Sequence, residues 1–157
     1  ILLFCYHLSW SQTDQENNDR AVALMDNKRY DEALVIFNQL AESNPTTTVY
    51  LSNRAACYFH LNEFALAIED YNLLTSFDPE ESEYNFQIGN CYESMDSLSQ
   101  AIEYFTKAIN QDPNNYLYRF KRGTVHLKQN NWNRGLTDFN SALRINPSHN
   151  NSLHNRG

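Results

Sequence analysis

Small and bulky apolar residues alternate along the chain on a frame of 34 residues, marked by prolines at Pro45, Pro79, Pro113 and Pro147. A period of this size organises a fold before any local pattern does. With each proline set at unit position 32, position 20 reads Ala33, Ala67, Ala101 and Gly135, and position 24 reads Phe37, Tyr71, Phe105 and Phe139. Position 27 reads Leu40, Leu74, Ala108 and Ala142, position 17 reads Tyr30, Phe64, Leu98 and Trp132, and position 11 reads Leu24, Tyr58, Tyr92 and His126. Steps of three and four residues keep such positions on one helical face. Each unit is therefore predicted to hold two helices. The first helices run near Gln15–Asp26, Val49–His60, Glu83–Ser94 and Leu117–Lys128, and the second near Tyr30–Glu42, Phe64–Ser76, Leu98–Asn110 and Trp132–Arg144. Polar turns at Asn27–Arg29, Asn62–Glu63, Asp96–Ser97 and Asn130–Asn131 separate them. The Asp or Asn before each proline is biased out of the helical region, which stops every second helix there.

The glycines sharpen this picture. Gly89, Gly123 and Gly157 share position 8 with Ala21 and Ala55, and Gly135 stands at position 20, so no glycine falls at a turn. Inside a helix a glycine costs about 1 kcal/mol relative to alanine. Placing all of them there makes sense where a neighbouring helix approaches too closely for a side chain.

With small residues at 8 and 20, bulk at 11, 17 and 24, and Asp78-Pro79 or Asp112-Pro113 at the link, the chain resembles the tetratricopeptide repeat family. The resemblance implies an all-α fold, a right-handed α-solenoid of stacked antiparallel helix pairs, because single units cannot bury their apolar stripe alone. The frame divides the chain into an apolar N-terminal segment at 1–13, repeats at 14–47, 48–81, 82–115 and 116–149, and the start of a fifth at 150–157, where Leu153, Arg156 and Gly157 match Leu51, Arg122 and Gly123. Position 4 departs from the family in lacking tryptophan, and Gly135 and His126 make the fourth unit the least typical. The segment Ile1–Ser11 reads either as the hydrophobic part of a signal peptide, with Ser9 and Ser11 as small residues, or as a cap helix over the first repeat, the preferred reading. The open fifth unit reads as part of a larger chain or complex.

Composition adds bounds. The 157 residues are 41% apolar with a mean hydropathy of -0.64, which excludes a purely disordered tail. Cys5, Cys57 and Cys91 form neither a disulfide framework nor a zinc-ligand pair, so a reducing compartment is the default. The apolar run from Ile1 to Trp10 is half of what a bilayer requires, so no membrane span is expected. The net charge of -7 hides a segregation: residues 1–106 carry 17 acids and four bases, residues 107–157 two acids and eight bases. Such a dipole steers association, and the acidic first three units disfavour nucleic acid.

Catalytic chemistry is absent from the motifs. No Gly-rich phosphate loop, HExxH, GxSxG or CxxC occurs, so neither an enzyme nor a cofactor nor a metal is expected. Cys57 and Cys91 share position 10 of successive first helices, a separation of about 10 Å when helices stack, and they read as core. His60, His126 and His154 fall in different units and read as ordinary packed or polar residues.

Recognition remains. In the resembled family the concave face binds through positions 2, 5, 6, 9, 12 and 13 of the first helix. Those columns place Asn53 and Asn90 where an amide, both donor and acceptor, can grip the backbone of an extended peptide. Phe59, Phe86 and Phe120 would supply apolar sockets, and Lys121 and Lys128 stand in the same columns. With 21 asparagines in the chain, plain solvation of Asn53 and Asn90 is an equal alternative. Of the co-chaperone pattern that grips a C-terminal carboxylate only Asn53 fits, which argues against that partner. The bases Arg119, Lys121, Arg122 and Lys128 are expected to face an acidic segment of a protein or peptide partner, or else to form a solvated edge. Two functions follow: a non-catalytic protein-interaction module binding an extended or helical segment in its groove, or an architectural scaffold segment of a cytoskeletal or ciliary assembly. The compartment expected is the cytoplasm, with the cilium or cytoskeleton as alternative.

Overall fold

The computed structural model describes the backbone of residues 2–156 and the side chains of residues 13–149 and 151–155. It contains α1 (Leu2–Asp26), α2 (Tyr30–Ser43), α3 (Thr48–His60), α4 (Phe64–Phe77), α5 (Ser82–Ser94), α6 (Leu98–Gln111), α7 (Tyr116–Lys128), α8 (Trp132–Ile145) and α9 (Asn150–Arg156), with no strand among the described residues. From α2 to α8 each end lies within one residue of the place the proline frame predicts. The start of α1 is a correction: the helix does not begin near Gln15 but runs unbroken from Leu2. The stretch Ser11-Gln12-Thr13-Asp14 holds no proline or glycine to stop it. The choice between a cap and a signal remnant for Ile1–Ser11 rests on side chains outside the described residues.

Every short turn inside a helix pair is closed the same way. Lys28, Asn62, Asp96 and Asn130 have φ of 59°, 63°, 57° and 62°. The following amide bonds five residues back, as in Arg29 N–H to Leu24 C=O at 2.9 Å and Asn131 N–H to His126 C=O at 2.8 Å. This is the Schellman closure of a helix C-terminus. Asn and Asp tolerate the left-handed conformation because their short side chains bond locally, whereas Lys28 has no such relief. The proline links use a second device: Asp78, Asp112 and Asn146 each accept a hydrogen bond from the backbone N–H two residues on, that of Glu80, Asn114 and Ser148. An Asx turn thus explains why Asp or Asn precedes these prolines.

The chain divides into two compact units, residues 1–70 and 71–157, the boundary falling inside α4. In the first, α2 packs against both α1 and α3, and Ala21, Ala33, Phe37, Leu40 and Cys57 form its core. Arg54 on α3 makes two hydrogen bonds to Asp70 on α4, at 2.8 and 2.6 Å. In the second unit α6 packs against α5 and α7, and α8 against α7 and α9. Its core comprises Phe86, Ala101, Phe105, Ala108, Ile109, Tyr118 and Val125. Here the glycines do what their placement predicts. A Cβ built on Gly89 would lie 2.7 Å from the Phe105 ring, and one on Gly123 would lie 2.7 Å from the Phe139 ring. Helices α5 and α6, and likewise α7 and α8, therefore meet so closely that a side chain at the glycine would force the facing ring to shift.

Candidate functional site

The predicted recognition residues fall in both units. In the first unit Asn53 is half-buried on α3, with no hydrogen-bond partner for its side chain among the described residues. Phe59, six residues on, is also half-buried and makes edge contacts with Phe64 and His60. His60 stacks on Tyr30, centroids 4.2 Å apart and planes within 10°.

In the second unit α5 and α7 hold the other five predicted residues. The α5 surface carries a relay in which Asn90 donates to Gln87 at 3.1 Å and Gln87 donates to Glu83 at 2.6 Å. The amide oxygen of Asn90 is buried and unpaired. One of its two amide N–H donors is thus committed along its own helix, and its oxygen is enclosed without a partner. Phe86 departs from expectation: it is 5% exposed and its ring lies 5.6 Å from Phe105 and 4.8 Å from Tyr118. It forms the core beneath the face instead of an open socket, because the close approach at Gly89 draws α6 onto that side of α5. Phe120 is half-buried against Phe139 and His149.

The basic residues are not free cations. Lys121 Nζ lies 2.9 Å from Glu93 Oε2 and Lys128 Nζ lies 2.6 Å from Glu93 Oε1. The Glu93 side chain is 12% exposed, the two lysines 33% and 50%. Burial alone would raise the Glu93 pKa, but hydrogen bonds from Lys128 and Lys121 outweigh it and hold the carboxyl below its usual range. Glu93 stands in the last turn of α5, where the helix dipole disfavours an anion, so its charge depends on those ammoniums. Arg122 points elsewhere: it makes bonds of 2.9 and 2.7 Å to Asp138 on α8 and one of 2.9 Å to Thr106 on α6. Asp138 is buried, so Arg122 is a structural cross-link, and the expectation that it faces a partner is corrected. Arg119 donates to the Pro113 carbonyl at 2.5 Å. Opposite charges at positions 12, 6 and 13 of successive first helices are the signal that would have shown Glu93 between the lysines.

Cys57, Cys91 and His126 are buried by packing. Desolvation pushes the thiols of Cys57 and Cys91 up to about 11 and about 12, which removes thiolate chemistry near neutral pH. His126 is buried with Nδ1 unpaired. Burial lowers its pKa, Asp138 opposes that, and Arg122 and Arg134 add to it. Among the described residues no helix is long and apolar enough to cross a membrane.

Comparison with known proteins gives one consistent result. Family models described as tetratricopeptide repeat match residues 18–82 and residues 83–115. The structure of MamA 41-end from Desulfovibrio magneticus RS-1 superposes with a TM-score of 0.80 at 17% identity, covering 87% of this chain and 77% of that one. YrrB, described as a TPR protein with an unusual peptide-binding site, has a TM-score of 0.78 at 19% identity, covering 92% and 74%. The first TPR of Spaghetti (RPAP3), bound to the HSP90 peptide SRMEEVD, has a TM-score of 0.68 at 22% identity, covering 76% and 94%.

Proposed function

The chain belongs to the tetratricopeptide repeat family, and from that premise we propose that it is a non-catalytic module that binds an extended or helical segment of a partner protein on the surface of its first-of-pair helices. In the second unit that surface is the α5/α7 face. The partner segment is acidic and meets Lys121 and Lys128, with Phe120 as the neighbouring apolar contact. One observation carries this reading: two lysines converge on one carboxylate and leave a local net positive charge beside the last turn of α5. Relatives of this fold described as binding peptides, YrrB and the Spaghetti domain, support a peptide-like partner. Asn53 and Phe59 on α3 would serve the first unit in the same way.

Charge reversal tests it. Lys121→Glu with Lys128→Glu is expected to weaken partner binding and flatten its salt dependence, read by titration calorimetry at two ionic strengths. An affinity indifferent to both changes removes the acidic-segment reading. A second reading, a scaffold segment using outer faces, is favoured by Trp132 and Leu136, which lie one turn apart on α8 and are 64% and 41% exposed. Lysine-directed crosslinking separates the two. Links from Lys121 and Lys128 to a single segment support the peptide-binding module, whereas protection of Trp132 alone supports the scaffold.

A further inference from the structure

Lys121 and Lys128 already hold a carboxylate. An ammonium has three donors, and the bonds to Glu93 take one from each lysine. The others remain for a second acceptor, and both lysines are far more exposed than Glu93. The cluster carries two positive charges and one negative. A partner carboxylate bridging the lysines would neutralise it, yet would contend with Glu93 for the same donors and feel its charge at short range. Glu93 is tethered to α5 and so is present at an effective concentration that a free acid does not reach.

We propose that Glu93 is a built-in competing carboxylate that sets the specificity of the α5/α7 face, admitting partner segments with clustered acids and rejecting a lone one. This rests on the reading that Lys121 and Lys128 meet an acidic segment. The physical reason is chelation. Two neighbouring acids can engage one lysine each, and after the first contact the second is intramolecular on the partner's side as well, so the tether of Glu93 no longer gives it an advantage. A lone carboxylate has no such second step and sees only the residual unit charge.

The test uses two capped, labelled peptides that differ only in carrying one glutamate or two adjacent glutamates, titrated by fluorescence anisotropy against the parent chain, Glu93→Gln, and Lys121→Gln with Lys128→Gln. Glutamine keeps the size of Glu93 and one acceptor oxygen, and matching circular dichroism melts establish that each variant is folded. The parent is expected to prefer the two-glutamate peptide. Glu93→Gln is expected to bind the one-glutamate peptide about tenfold tighter, the effect of removing one like charge near a partly exposed site. The preference then shrinks and the salt dependence steepens. If Glu93→Gln leaves both affinities unchanged or weakens them while the double lysine variant still abolishes binding, the competing-carboxylate inference is overturned and the reading of the face survives. If binding ignores the lysines altogether, both are overturned.

Discussion

Adding one methyl group at Gly89 is the sharpest probe of how these helices are held together. The new Cβ would lie 2.7 Å from both Cδ1 and Cε1 of Phe105, well inside van der Waals contact. The ring cannot swing away. Phe105 is fully buried, its ring lies against that of Phe86, and Phe86 in turn packs on Tyr118. Overpacking of this kind costs roughly 1–3 kcal/mol, with the upper half expected because two atoms clash and three aromatic rings must move together. Alanine recovers about 1 kcal/mol through helix propensity. Gly89→Ala is therefore expected to destabilise by about 1–2 kcal/mol, a fall in Tm of roughly 3–6 °C for a chain of this size. Because stacked hairpins open locally, hydrogen exchange read by mass spectrometry should show the loss of protection centred on α5 and α6. Pairing the change with Phe105→Leu, which removes the clashing ring atoms, should cost less than the sum of the two single changes. A Gly89→Ala variant with a raised Tm would refute the reasoning, since propensity would then have outweighed a contact that gives way freely.

Three further outcomes follow from the same geometry. Lys28 is the one left-handed turn residue of the four that is neither Asn nor Asp, so Lys28→Gly is expected to stabilise by about 1 kcal/mol, read as a higher urea midpoint with an unchanged slope. Asp138→Ala strands the Arg122 guanidinium, which retains only its bond to Thr106; a loss of about 2–3 kcal/mol is expected, below the range for fully buried pairs because Arg122 is partly exposed, and a loss no larger than for an exposed surface acid would show the pair to be dispensable. Folding lowers the His126 pKa from 6.5, so the neutral ring's contribution is present above pH 6.5 and is lost as pH falls from there through the lowered folded value. Chemical denaturation at a series of pH values should show that decline, and His126→Gln should flatten it.

What could be read from the chain alone was everything governed by local chemistry repeated on a fixed period. The frame located the ends of α2 to α8 because helix stops depend on the residues at the stop: a left-handed Asn or Asp after α3, α5 and α7, and after α4, α6 and α8 an Asp or Asn whose side chain closes an Asx turn, followed by a proline that cannot continue the helix. The glycine columns foretold close helix crossings because only an approaching neighbour justifies a glycine within a helix. The start of α1 was misplaced for the complementary reason, since a boundary with no breaker residue has no local signature.

The state of each recognition residue was decided by tertiary structure. Phe86 and Phe120 occupy equivalent kinds of position on α5 and α7, yet the first is buried in the core and the second half-buried beside His149. Four basic residues within ten positions looked like one patch, but folding brought Asp138 to Arg122, the Pro113 carbonyl to Arg119, and Glu93 between Lys121 and Lys128. The formal charge of a side chain is written in the sequence, whereas its availability depends on what lies within 3 Å of it, and those partners stand 6 to 35 residues away along the chain.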